Sequence, residues 1–225
     1  MRLADREVTV WPSEIPCAPL VVFHAFEKEG TAVYDTVKTL TGTPFSFACV
    51  GADRWNDDLS PWEAPAVYRE AAPFAGNADV YLETLTRTVL PEILRQLPSA
   101  PSCRVLAGYS LAGLFSLYAM YRTDAFHRFV SASGSLWYPG FLDYAAAHTP
   151  ARRPQRVYLS LGDREAKTRH PVLRAVEENT LRLAALYRAQ GIDTAYEHNP
   201  GNHFTDCDLR VAKGIAWAIA PENGK

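Results

Sequence analysis

Basic clusters, paired cysteines and long apolar runs are all missing from this sequence. Its 225 residues hold 23 Lys+Arg against 25 Asp+Glu, a formal charge of −2, and no stretch concentrates the positive charge. Nucleic-acid binding rests on neutralising phosphates, so nucleic acid is not an expected partner. No apolar run reaches the roughly 18 residues that a membrane span needs. The opening Met1-Arg2-Leu3-Ala4-Asp5-Arg6-Glu7 is too charged for the apolar core of a signal peptide. Cys17, Cys49, Cys103 and Cys207 are scattered, with no C-x-x-C pair. Neither a zinc site nor a redox motif is suggested, and the expectation is four reduced thiols in a cytoplasmic protein. Repeats, low-complexity tracts and convincing linkers are absent too.

The remainder is ordinary globular sequence: 48% hydrophobic, 21% charged. The length fits one domain over 1–225. A chain of this size buries roughly 70–75% of its unfolded surface and needs no disulfide or metal staple. Apolar pieces of strand length at 20–24, 45–50, 104–108, 129–133, 157–161 and 194–197 alternate with helix-sized pieces. Residues 79–96 carry Val80, Leu82, Leu85, Val89, Ile93 and Leu97 at helical steps, and Pro91 among them predicts a kink or break. Leu111 to Tyr121 is almost wholly apolar and predicts a helix buried on most faces. A helix started by Pro171 runs to Gly191, and another covers about 208–219. Strands alternating with helices predict an α/β fold with a mostly parallel central sheet and helices on both faces. Residues 51–78 break the rhythm with Trp55, Trp62 and several prolines; such a stretch reads as a lid-like insertion or wall over a crevice at the strand ends.

Gly108-Tyr109-Ser110-Leu111-Ala112-Gly113 lies between an apolar strand and an apolar helix. This is the setting of a G-x-S-x-G nucleophile elbow, where the sharp turn demands small residues two before and two after the serine. Here Ala112 stands for the second glycine. An elbow serine needs a base and then a carboxylate, in chain order Ser, Asp/Glu, His. His203, in the turn-rich Asn199-Pro200-Gly201-Asn202-His203-Phe204 between the last strand and the last helix, is the candidate base. The strand at 157–161 runs into Gly162-Asp163-Arg164-Glu165, so either Asp163 or Glu165 is placed to orient it. An oxyanion hole needs two backbone N–H groups. One is expected from Leu111, the other from Ala25 or Phe26 after the first strand. A metal set of His198, His203, Asp206 and Asp208 has no recognised ligand spacing, and the chemistry calls for no cofactor.

Three segments resemble the putative-esterase family of α/β-hydrolases, which includes esterase D-type enzymes, feruloyl esterases and esterases of catecholate siderophores. They are Gly108-Tyr109-Ser110-Leu111-Ala112-Gly113-Leu114-Phe115, Ser133-Gly134-Ser135-Leu136-Trp137-Tyr138 and Gly201-Asn202-His203. The middle one is similar to the S-P-S-x-W-W segment of the siderophore esterases, with Gly134 and Tyr138 as departures. The resemblance implies an α/β-hydrolase that cleaves a small-molecule carboxylic ester, of an aromatic or siderophore-type acid, through an acyl-serine. Ser110 matches the nucleophile, His203 the base and Glu165 the acid, with backbone amides of Leu111 and Phe26 for the oxyanion. Trp55, Trp62, Trp137 and Tyr138 are expected to offer flat apolar surface to substrate, and Asp58 (or Asp57) to take its hydroxyls. Acyl transfer or thioester hydrolysis on the same scaffold, and a non-catalytic binding protein, are the alternatives.

Overall fold

The computed structural model describes residues 1–25, 29–52 and 54–221. Eight strands form one sheet: β1 (Arg2–Leu3), β2 (Arg6–Trp11), β3 (Leu20–Ala25), β4 (Ser46–Gly51), β7 (Arg104–Tyr109), β8 (Arg128–Ala132), β9 (Arg156–Gly162) and β10 (Asp193–Asn199). Their spatial order is β1-β2-β4-β3-β7-β8-β9-β10. The six from β4 to β10 run parallel, and β1 and β2 add an antiparallel edge. The six strands expected from the apolar runs are present to within two residues at either end. Both antiparallel strands fall in a segment that reads as charged.

Strand alternation sends side chains to two separate cores. From β3, Val21 and Phe23 join Phe47, Val105, Val33 and Val37 of helix α1 (Glu29–Leu40), and Val211 and Ile215 of helix α8 (Cys207–Ile219). Leu20 and Val22 point to the other face, among Leu106, Phe115 and Leu159. That face is covered by α3 (Ala78–Thr84), α4 (Leu90–Arg95), α5 (Leu111–Arg122), α6 (Phe141–Ala147) and α7 (Val176–Ala189). Every residue of α5 from Leu111 to Tyr121 is buried, as its unbroken apolar run predicts. Pro91 does not break its helix: residues Leu85–Val89 widen into a π-turn between α3 and α4. This gives the ring room where it would strike the carbonyl four residues back.

From β3 the chain steps outward to β4, whereas β7 lies on the other side of β3. The direction of winding therefore reverses between β3 and β7, and the carboxyl ends of these strands open a crevice there. The described residues of 51–78 arch over it with little regular structure, a four-residue helix α2 (Trp55–Asp58) and a two-strand ribbon of β5 (Glu63–Ala64) and β6 (Phe74–Ala75). Among the described residues no helix is long and apolar enough to cross a membrane.

Candidate active site

Ser110 stands where β7 turns into α5, with φ 56° and ψ −121°, a region that side-chain-bearing residues rarely enter. The turn is so tight that a Cβ on Gly108 would collide with the backbone of Ala112. Gly108 is thus required, while the methyl of Ala112 fits, which accounts for the departure from strict glycine. The turn lifts the serine hydroxyl out of the sheet and leaves the first N–H groups of α5 beside it, without acceptors of their own in the helix.

The loops after β9 and β10 complete the constellation. His203 Nε2 lies 3.0 Å from Ser110 Oγ, and its Nδ1 lies 2.7 Å from Glu165 Oε2. A carboxylate only accepts, so Nδ1 carries the proton and Nε2 is free to accept the serine's. The other Glu165 oxygen receives the Ser133 hydroxyl at 2.8 Å, the Gly162 N–H at 2.7 Å and the Arg210 guanidinium at 3.1 Å. Burial pushes the Glu165 carboxyl upward, but the His203 hydrogen bond and charge, the Gly162 N–H and the Ser133 hydroxyl outweigh it and hold it below the usual range. Its side chain is only 4% exposed, that of His203 30%. Asp163, the rival acid, faces elsewhere: its Oδ1 accepts the Gly201 N–H at 2.8 Å and ties the β9 loop to the β10 loop.

Three residues that sequence reasoning missed support this group. Arg210 of α8, fully buried, spans Glu165, Ser133 and the Pro200 carbonyl at 2.7 Å. Tyr109 donates its hydroxyl to the His203 carbonyl at 2.7 Å. Ser133 holds Glu165 from a left-handed backbone position, φ 44°. An arginine next to Val211 and Ala212, on the apolar stripe of the final helix, was the one visible signal, since a buried guanidinium must have partners.

A cavity of about 460 Å³ opens over Ser110 and His203. Trp55, Val67 and Phe74 of the 51–78 segment wall it, with Trp137 from the loop after β8 and Arg164 from the loop after β9. The expectation for this wall is corrected at three positions. Trp62 packs away from the cavity against Tyr118, Tyr138 and Tyr144, its Nε1 donating to the Pro139 carbonyl at 2.9 Å. Tyr138 is buried and gives its hydroxyl to the Trp62 carbonyl at 2.5 Å. Asp58 is buried in ion pairs with Arg6 and Arg54, out of reach of any substrate hydroxyl. Trp55 and Trp137 are on the lining; Phe26 lies outside the described residues.

A serine on a strand–helix elbow, a histidine on the loop after the last strand and a carboxylate between them in sequence define an α/β-hydrolase arrangement. The model of the Putative esterase family matches residues 40–206, and the chain belongs to that family. Among solved structures the chain is similar to an IroE-like serine hydrolase from Shewanella oneidensis, with a TM-score of 0.76 at 16% identity, over 94% of this chain and 75% of that one. It is also similar to the siderophore hydrolase EstB from Aspergillus nidulans (TM-score 0.71, 20% identity, 96% and 92% covered). The enterobactin esterase FES from Shigella flexneri gives a TM-score of 0.69 at 19% identity, with 97% of this chain matching 59% of the longer one. No curated protein matches the sequence. Family membership makes the chain an ester hydrolase.

Proposed function

We propose that the chain hydrolyses a small carboxylic ester with Ser110 as nucleophile, His203 as general base and acid, and Glu165 as its orienting carboxylate. The observation that carries this is the unbroken line Ser110 Oγ, His203 Nε2, His203 Nδ1, Glu165 Oε2, at 3.0 and 2.7 Å, on a serine held at positive φ. As Ser110 attacks, its proton passes to Nε2, and the imidazolium so formed is stabilised by the ionised Glu165. The tetrahedral oxyanion is met by the Leu111 N–H at the start of α5. The alcohol leaves with the proton from His203, and water, activated by the same nitrogen, releases the acid.

The acyl group preferred is aromatic. Trp55, Phe74 and Trp137 give the main cavity flat apolar walls, and an aromatic contact is worth about 0.5–1.5 kcal/mol beyond area burial. A neighbour described as an enterobactin esterase, solved with 2,3-dihydroxy-N-benzoyl-glycine, supports an aryl acid of the catecholate kind. Fluorophosphonate labelling tests the reaction class, since one similar structure, an enterobactin hydrolase IroE, was solved in complex with DFP. Labelling and turnover of aryl esters should both disappear in Ser110→Ala with the fold unchanged. An adduct mapped to Ser133 or Ser135 would overturn the assignment.

A further inference from the structure

A second cavity, about 240 Å³, meets the first at Ser110 and His203. An ester has two halves, and its reacting carbon must sit over Ser110 Oγ, so each cavity is available to one half. Phe23 of β3, Tyr109 of β7 and Val211 of α8 line the second, while Trp55 and Phe204 stand between the two and line both. Phe204 is 84% exposed, so its ring is open to a molecule bound at either cavity. Asp208, in the first turn of α8, is on the same lining. Among the described residues its half-buried carboxylate has neither a hydrogen bond nor an ion pair. The nearby cations are engaged elsewhere: Arg210 on Glu165 and Pro200, Lys213 on Glu197 and Asn199. Burial pushes the Asp208 carboxyl upward, as expected of an acid in an apolar recess with no partner.

We propose that the second cavity receives a cationic group of the substrate, an ammonium carried on one half of the ester, held by Asp208 and by the surrounding aromatic rings. A carboxylate left half-desolvated without a partner is a cost that an incoming cation removes. Aromatic rings around a carboxylate favour an ammonium over a neutral hydroxyl, because the ring quadrupole attracts positive charge. The inference rests on the reading of Ser110 as the nucleophile, since that is what makes the two cavities halves of one site.

The test compares benzoylcholine with its all-carbon isostere, tert-butyl in place of trimethylammonium, at low ionic strength. A second pair carries the same change on the acyl side of a phenyl ester. The pair that shows the preference tells which half enters the cavity. The cationic member of that pair should have kcat/KM about tenfold above its isostere, and tetramethylammonium ion should inhibit competitively. In Asp208→Asn the ratio should fall to near one. Phe204→Ala, at an exposed ring whose loss does not threaten folding, should lower it as well. Turnover of both members of each pair at equal rates would overturn the proposal, as would a preference that survives both substitutions. Absence of any ester hydrolysis, or labelling away from Ser110, would overturn the esterase reading itself.

Discussion

A carboxylate orients an imidazole only if its own geometry is fixed, and the contacts around Glu165 supply that. One oxygen is held by Ser133, Gly162 and Arg210, which leaves the other aimed at His203 Nδ1. Asp163, two positions earlier, is spent on the Gly201 N–H. Glu165→Gln should therefore lower kcat by about 10²–10⁴, since an amide in place of the orienting carboxylate favours the wrong tautomer. Asp163→Asn should cost far less; steady-state kinetics on one aryl ester separates the two, and equal small losses would mean a working serine–histidine pair. Arg210 acts one step back, as a positioning residue. Arg210→Lys keeps the charge but not the planar fork that reaches Glu165, Ser133 and Pro200 together. The expected outcome is a fall in kcat of about tenfold or more with KM little changed. A loss confined to thermal stability would show Arg210 to be structural only.

The 51–78 segment and the loop after β8 contribute both to packing and to the cavity, and their tryptophans divide accordingly. Trp62 is locked among Tyr118, Tyr138 and Tyr144, while Trp137 faces the cavity against Phe74. Trp62→Ala should destabilise by roughly 2–3 kcal/mol, somewhat under the usual range for a fully buried tryptophan, with no change in the ratio of aryl to acetyl ester turnover. Trp137→Ala should lower that ratio several-fold; urea denaturation and paired kcat/KM values check the two. Sequence could not separate these residues, because both are tryptophans in turn-rich loops and only the tertiary neighbours differ. The same limit explains which elements were legible. Five of the six parallel strands showed themselves because strands buried on both faces are continuous apolar runs; β10, a half-buried edge strand, did so only through Thr194-Ala195-Tyr196-Glu197. β2 did not: its Arg6 is buried, but by an ion pair with Asp58 more than fifty positions away. α1 was hidden because Val33 and Val37 are its principal buried positions, and α6 because seven residues are too few for a period to emerge. The serine and histidine were legible because an elbow and a terminal loop are local features. Arg210, Ser133 and Tyr109 act through contacts that only the assembled sheet creates.

Protons couple the buried interior to solution conditions, and His24 is the strongest such link. It lies wholly buried on β3, accepting or donating one bond to the Tyr81 hydroxyl at 2.7 Å between the rings of Tyr81 and Phe115. Burial first, and the Arg6 charge second, lower its pKa to about 3. Above about pH 6.5 neither state is protonated there and the group adds no pH dependence. Between that value and about 3 the unfolded chain binds a proton that the folded one refuses, so stability falls with acid by up to about 1.4 kcal/mol per pH unit. Glu165, with its lowered pKa, adds a loss only below the ordinary carboxylate range. Urea denaturation at pH 7, 6 and 5 should therefore show a slope that His24→Gln flattens; an unchanged slope would assign it to other groups.

Helix α8 packs on α1 across the outer face of the sheet, and it also carries Arg210. The last helix of the described chain thus rests on the first, and between them in sequence lie all but three of the strands. Contacts so distant in sequence are slow to form, because the intervening loop must close before they are rewarded. The expected consequence is that the Arg210 fork, and with it the carboxylate facing His203, is set only once α8 has docked on α1, near the opposite end of the chain.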